Sequence, residues 1–121
     1  MPCTVLIVDD HPGFRVRARA LLVTAGYQVV GEAPDGKAGV NMARDLSPEL
    51  MLLDVQLPDI TGFEVARQVR SQPDPPAIVL ISTRDASDYG SRIERSAVLG
   101  FISKSELSAQ TLRAVLKGTR R

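Results

Sequence analysis

Two kinds of stretch alternate along the chain. Residues 5–8 (VLIV), 50–53 (LMLL), 78–81 (IVLI) and 101–102 (FI) are short, uniformly apolar runs. Runs of strand length without alternation suit strands covered on both faces, whereas the mixed segment 28–32 (QVVGE) suits an edge strand. Between them apolar residues recur at helical spacing: Phe14, Ala18, Leu21, Leu22 and Ala25; then Phe63, Ala66 and Val69; then Leu107, Leu112, Val115 and Leu116. The pattern predicts a strand followed by a helix, five times over. Start signals agree, because Pro12 can open the first helix, Asp35 can cap the second, and Thr61 with Glu64 has the spacing of a capping box. Residues 87–98 are the exception. Gly90, Ser91 and Ser96 lower their helix propensity, so this helix should be the least firmly held.

Strands alternating with helices imply a parallel sheet between two helix layers, since parallel neighbours need right-handed crossovers. Ligands of such sheets gather outside the carboxyl ends of the strands. The apolar runs end on Asp9-Asp10, Asp54, Ser82 and Lys104, which places two sets of carboxylates, a hydroxyl and an ammonium on that one edge. Each alone reads as a cap or a solvated loop residue; four in register read as a site. Three carboxylates in one crevice repel each other unless a cation joins them. Mg²⁺ suits hard oxygen ligands and commonly uses one or two protein carboxylates with a phosphate oxygen. An acid left free can then act as a nucleophile on phosphorus, with a lysine and a hydroxyl meeting the phosphoryl oxygens.

The 121 residues suit one domain, spanning 1–121, that buries about two thirds of its unfolded surface. Fifteen basic and fourteen acidic residues give a net charge of +1, so no global field draws the chain to nucleic acid or membrane. The single cysteine, Cys3, excludes an internal disulfide and reads as a plain strand residue. No apolar run is long enough to span a bilayer, and a cytoplasmic setting is expected.

These residues carry a resemblance to the receiver (REC) domains of two-component response regulators. It covers essentially the whole length and rests on Asp9-Asp10 after the first strand, Asp54 followed by Pro58 and Gly62, Ser82, and Lys104 with Phe101 three residues before it. The stretches DDHPGFR and GFISKSEL look most similar to receivers of LuxR/NarL-type regulators, often joined to a helix-turn-helix. The resemblance implies an α/β, flavodoxin-like (βα)5 fold, a five-stranded parallel sheet in the order 2-1-3-4-5 with five helices. It implies Asp54 as phosphoacceptor, with Asp10 as principal Mg²⁺ ligand, Asp9 assisting through water, and Asp54 and the Gln56 backbone carbonyl completing the protein ligands. Ser82, Thr83 and Lys104 would line the phosphoryl site, and Ser82 with Phe101 would form the switch. The phosphoryl group would come from a sensor histidine kinase or a small phosphodonor. The chain would act on itself only, by catalysing its own phosphorylation and slow dephosphorylation. A homodimer is expected through the face shared by the 87–98 helix, the last strand and the last helix. Contact with nucleic acid would need an output domain outside this chain.

Two positions depart from the family pattern. Thr83 stands where a smaller residue is usual, which would narrow access to the phosphorylation pocket, and Ser105 replaces the proline that often follows the lysine, so a cis bond at 104–105 is not assumed. An aspartyl-phosphate phosphatase is the rival enzyme reading. It would use a second acid two residues after the nucleophile, but Gln56 stands there and an amide cannot do acid–base work. A flavin site is disfavoured because Asp9-Asp10 would repel the flavin phosphate. A pseudo-receiver that binds partners without phosphorylation is the other alternative, kept open by Thr83. His11 reads as a helix-start residue, since Mg²⁺ prefers oxygen and the chain has no second histidine. Arg113, Lys117, Arg120 and Arg121 place solvated positive charge toward the last helix's carboxyl end.

Overall fold

A computed structural model of the chain describes residues 3–118. The elements are β1 (Thr4–Val8), α1 (Pro12–Thr24), β2 (Gln28–Ala33), α2 (Gly36–Leu46), β3 (Leu50–Asp54), α3 (Gly62–Arg70), β4 (Ala77–Ser82), α4 (Arg92–Arg95), β5 (Gly100–Ser103) and α5 (Ala109–Gly118), with 3-10 turns over Ala86–Tyr89 and Lys104–Glu106. The strands form one parallel sheet in the order β2-β1-β3-β4-β5, as expected. Cys3 lies just before β1 rather than in it.

Successive side chains of a strand point to opposite faces, and each face of this sheet carries its own core. Leu6, Val8, Met51, Leu53, Ile78 and Leu80 pack on one side with Val65, Ala66 and Val69 of α3. Val5, Ile7, Leu50, Leu52, Val79 and Ile81 pack on the other with Phe14, Ala18 and Leu22 of α1 and Leu112 of α5. That division explains the uniformly apolar runs: every residue of β3 is buried, whichever way it points. At the sheet edge β2 is mostly half-buried, in keeping with its mixed composition.

Helix starts follow the sequence signals, with one correction. Pro12 opens α1, and the Asp35 carboxylate accepts from the Ala38 N–H at 2.8 Å at the start of α2. Thr61 Oγ1 accepts from the Glu64 N–H at 3.2 Å, but the returning half of the capping box is not made. The Glu64 carboxylate instead binds Arg67 and Gln68 one turn on, where charge-assisted donors outcompete a backbone N–H. The weak segment 87–98 does break up. A 3-10 turn and a four-residue α4 replace one helix, separated at Gly90, whose positive φ of 57° glycine adopts without strain. Among the expected basic residues of the last helix, Lys117 lies in the last turn of α5; Arg120 and Arg121 lie outside the described residues.

Candidate functional site

Strand register builds the site. Val8 pairs with Leu53 on one side and Ala33 on the other, so Asp9 emerges next to the end of β3, and its N–H is fixed by the Ala33 carbonyl at 3.0 Å. Asp54 is the last residue of β3, opposite Ile81; Ser82 ends β4 opposite Ser103; Lys104 follows directly. The loop after Asp54 is held close by Gly62, whose N–H donates to the Val55 carbonyl at 2.8 Å. A Cβ at Gly62 would stand 2.3 Å from the Asp54 carbonyl oxygen, an approach only glycine permits. Asp59, in the same loop, accepts from the N–H groups of Gly36 and Lys37 at 2.8 Å each and ties it to the start of α2. Burial works against the Asp59 carboxylate, but these N–H bonds prevail and hold it below the usual carboxylate range.

At this edge Asp9 and Asp54 are buried and Asp10 is partly exposed. Lys104 reaches across the sheet end to meet them, its Nζ 2.6 Å from Asp9 Oδ2 and 3.3 Å from Asp54 Oδ2. The shorter contact is an ion pair without hydrogen-bond alignment; the longer one is a hydrogen bond. The Lys104 ammonium also lies 4.6 Å from the centre of the Phe14 ring, a cation–π contact that closes its outer side. Burial, then repulsion from Asp9, pushes the Asp54 carboxyl up to about 6, and the Lys104 charge and the Gln56 N–H at 3.2 Å only partly offset this. His11 is the N-cap of α1, in keeping with its helix-start reading, and it does more than that. Its Nδ1 lies 3.2 Å from Asp9 Oδ1 and 3.1 Å from Asp10 Oδ1, over the acid pair.

Ser82 is fully buried, and its hydroxyl is 2.6 Å from the Tyr89 hydroxyl while also accepting from the Arg84 N–H at 3.0 Å. The Tyr89 ring stands edge-on to Phe63, centroids 5.6 Å apart, and tilted against Phe101 at 5.9 Å. Thr83 is exposed and lines an outer cleft of about 540 Å³ with His11, Phe14, Arg17 and Lys104. The side chain of Gln56 is exposed as well, so that only its backbone turns toward Asp54.

The family model for the response regulator receiver domain matches residues 5–117. The chain belongs to that family. The receiver is 36% identical over 121 residues to "Response regulator GacA" of Pseudomonas aeruginosa, covering 96% of this chain and 56% of that protein. It is 34% identical over 118 residues to "Transcriptional regulatory protein YdfI" of Bacillus subtilis, covering 94% and 55%. Thus the receiver spans about half the length of the curated relatives it matches. Among solved structures, the signal receiver domain of the response regulator NarL from Mycobacterium tuberculosis superposes with a TM-score of 0.85 at 34% identity, covering 97% of this chain and 95% of that one. A LuxR-family two-component response regulator from Aurantimonas sp. SI85-9A1 gives 0.85 at 27% identity, covering 98% and 87%.

The receiver's donor set fits a hard divalent cation. Asp9, Asp10, His11 and Asp54 each offer a ligand atom within 4.8 Å of the others, three of them carboxylate oxygens. Asp9 Oδ2 and Asp10 Oδ1 are buried without a hydrogen bond, the first offset by the Lys104 ammonium at 2.6 Å and the second facing only the His11 ring at 3.1 Å, so both keep acceptor capacity that a divalent cation would use. Sequence reasoning missed Tyr89 and Arg15, whose Nη1 donates to the Asp9 carbonyl at 2.6 Å. Arg15 stands one helical turn beyond His11, the residue that follows the acid pair, a spacing that could have flagged it. Tyr89 lies in the segment without periodicity, where no pattern could.

Proposed function

We propose that this receiver, read as one domain over residues 1–121, is the phosphoacceptor of a two-component relay and takes a phosphoryl group on Asp54 from a sensor histidine kinase or a small phosphodonor. The observation that carries this reading is the buried Asp54 carboxylate at a strand end, facing Lys104 and two further acids. Asp9, Asp10, Asp54 and the Gln56 backbone carbonyl would hold Mg²⁺. Bound there, it supplies charge neutralisation for the phosphoryl oxygens. An Asp54 oxygen attacks phosphorus, and the donor's bond to phosphorus breaks with its electron pair leaving on the imidazole or carboxylate of the donor. Lys104, already between Asp9 and Asp54, is placed to follow the new negative charge. Gln56 offers no acid or base for hydrolysis, so the acyl phosphate persists as a signal rather than turning over.

Phosphorylation adds about −1.5 to −2 charge and new acceptor oxygens. Ser82 would exchange the Tyr89 hydroxyl for a phosphoryl oxygen, with Thr83 at the mouth of the same pocket and Lys104 as the cation. Released, Tyr89 repacks against Phe63 and Phe101, and the short, thinly held α4 moves with it. The altered α4–β5–α5 face then binds a partner or a second copy. The transcription-regulator names of the relatives support an output in gene control, exerted through an output segment outside residues 1–121. No described helix is long and apolar enough to cross a membrane.

The test is a beryllofluoride titration with Mg²⁺, followed by amide chemical shifts. Shifts should spread from Asp54 to Ser82, Tyr89 and Phe101 and vanish in Asp54→Asn. Equal shifts in that variant would sink the assignment, and shifts confined to the acid cluster would sink the switch.

A further inference from the structure

The chain's positive charge is not evenly spread. Arg67 and Arg70 of α3 and Arg92 and Arg95 of α4 line one groove of about 350 Å³, with Glu64 the only acid in its lining. Glu64 is already engaged by Arg67 and Gln68, which hold its carboxyl down to about 2. The groove therefore carries a surplus of three positive charges on a chain whose net charge is only +1. Nor are these guanidiniums all loose in solvent. Arg92 sits 4.3 Å from the centre of the Phe63 ring, and Arg70 donates to the Ser96 carbonyl at 3.2 Å. No ion pair engages Arg70, Arg92 or Arg95 among the described residues.

We infer that the α3–α4 groove docks an acidic segment of a partner protein, with carboxylates one helical turn apart. Arg67 is taken up by Glu64, which leaves Arg70 on one side of the groove and Arg92 with Arg95, spaced by one turn, on the other, so three guanidiniums without an ion pair are open to a single strip of carboxylates. Guanidinium forks match carboxylates in bidentate geometry, and pre-ordered ones lose less entropy on binding. A nucleic-acid duplex fits less well, because a surplus of three charges makes a short footprint and the carboxylate cluster of the same chain would repel a longer one.

The probe is a synthetic helical peptide with glutamates one turn apart, titrated by fluorescence anisotropy into Asp54→Asn protein so that phosphorylation plays no part. It should bind at low salt, weaken steeply as salt rises, and shift amide signals of residues 61–70 and 92–96. Arg92→Glu with Arg95→Glu should lose about tenfold or more in affinity. The same double variant should gain binding to the matching lysine peptide, which a misfolded protein could not do. The inference is overturned if the glutamate peptide does not bind at low salt, if the double variant binds it unchanged, if the shifts map elsewhere, or if a short DNA duplex binds this groove more tightly.

Discussion

A carboxylate buried beside a second acid should cost the protein stability, and Asp54→Asn measures that cost. The Asp54 carboxyl is pushed from an ordinary 3.8 to about 6, and the group is only 2% exposed, so solvent screening removes little of the effect. The shift corresponds to about 3 kcal/mol. Between pH 4 and 6 the folded protein keeps a proton that the unfolded chain has released, so raising pH removes stability until the loss is complete above pH ~6. Asparagine is nearly isosteric, can still accept from the Gln56 N–H, and leaves Lys104 its contact with Asp9. In chelator the variant should therefore match the parent near pH 4 and exceed it by up to about 3 kcal/mol at pH 8, a rise in midpoint of roughly 10 °C. Thermal and urea melts followed by circular dichroism across this range give the difference directly. Adding Mg²⁺ at pH 8 should narrow it by stabilising the parent. A variant less stable than the parent at pH 8, or a difference that does not change with pH, would refute the electrostatic account of Asp54.

Lys104→Met should destabilise the protein by about 3 kcal/mol in metal-free buffer at pH 8, because it strands the buried Asp9 and Asp54 charges, and urea unfolding measures it. Gly62→Ala should cost about 1–3 kcal/mol by forcing the Asp54–Val55 backbone away from the start of α3, read from the same transitions. Tyr89→Phe keeps the ring contacts with Phe63 and Phe101 but frees the Ser82 hydroxyl; losing a bond worth about 1 kcal/mol should tighten beryllofluoride binding about fivefold.

The order of the strands in the sheet came only from the family resemblance, whereas the strands themselves were legible because β1, β3 and β4 are buried on both faces and leave apolar runs of strand length. Their last residues mark the site for the same reason, since a carboxylate at the end of such a run must face the strand-end crevice. Legibility failed where side chains, not backbone periods, choose the partner. Glu64 has capping-box spacing, yet Arg67 claims it. His11 starts a helix and also caps the acid pair, a contact set by the direction of the β1–α1 loop. The Ser82–Tyr89 bond joins residues seven apart through a 3-10 turn, and no amphipathic period records it. Residues 87–98 were readable as weak but not as a 3-10 turn and a four-residue helix, because glycine and serine lower helix propensity without specifying the alternative.

Where a phosphoryl group lands on this receiver is the most direct question. The protein is incubated with acetyl phosphate and Mg²⁺, the acyl phosphate is trapped by borohydride reduction, and peptide mass spectrometry locates the reduced residue. Asp54 should be the residue reduced, and Asp54→Asn should take up no acid-labile phosphate under the same conditions. Reduction at Asp9 or Asp10 in the parent, or undiminished labelling of Asp54→Asn, would contradict the phosphoacceptor assignment.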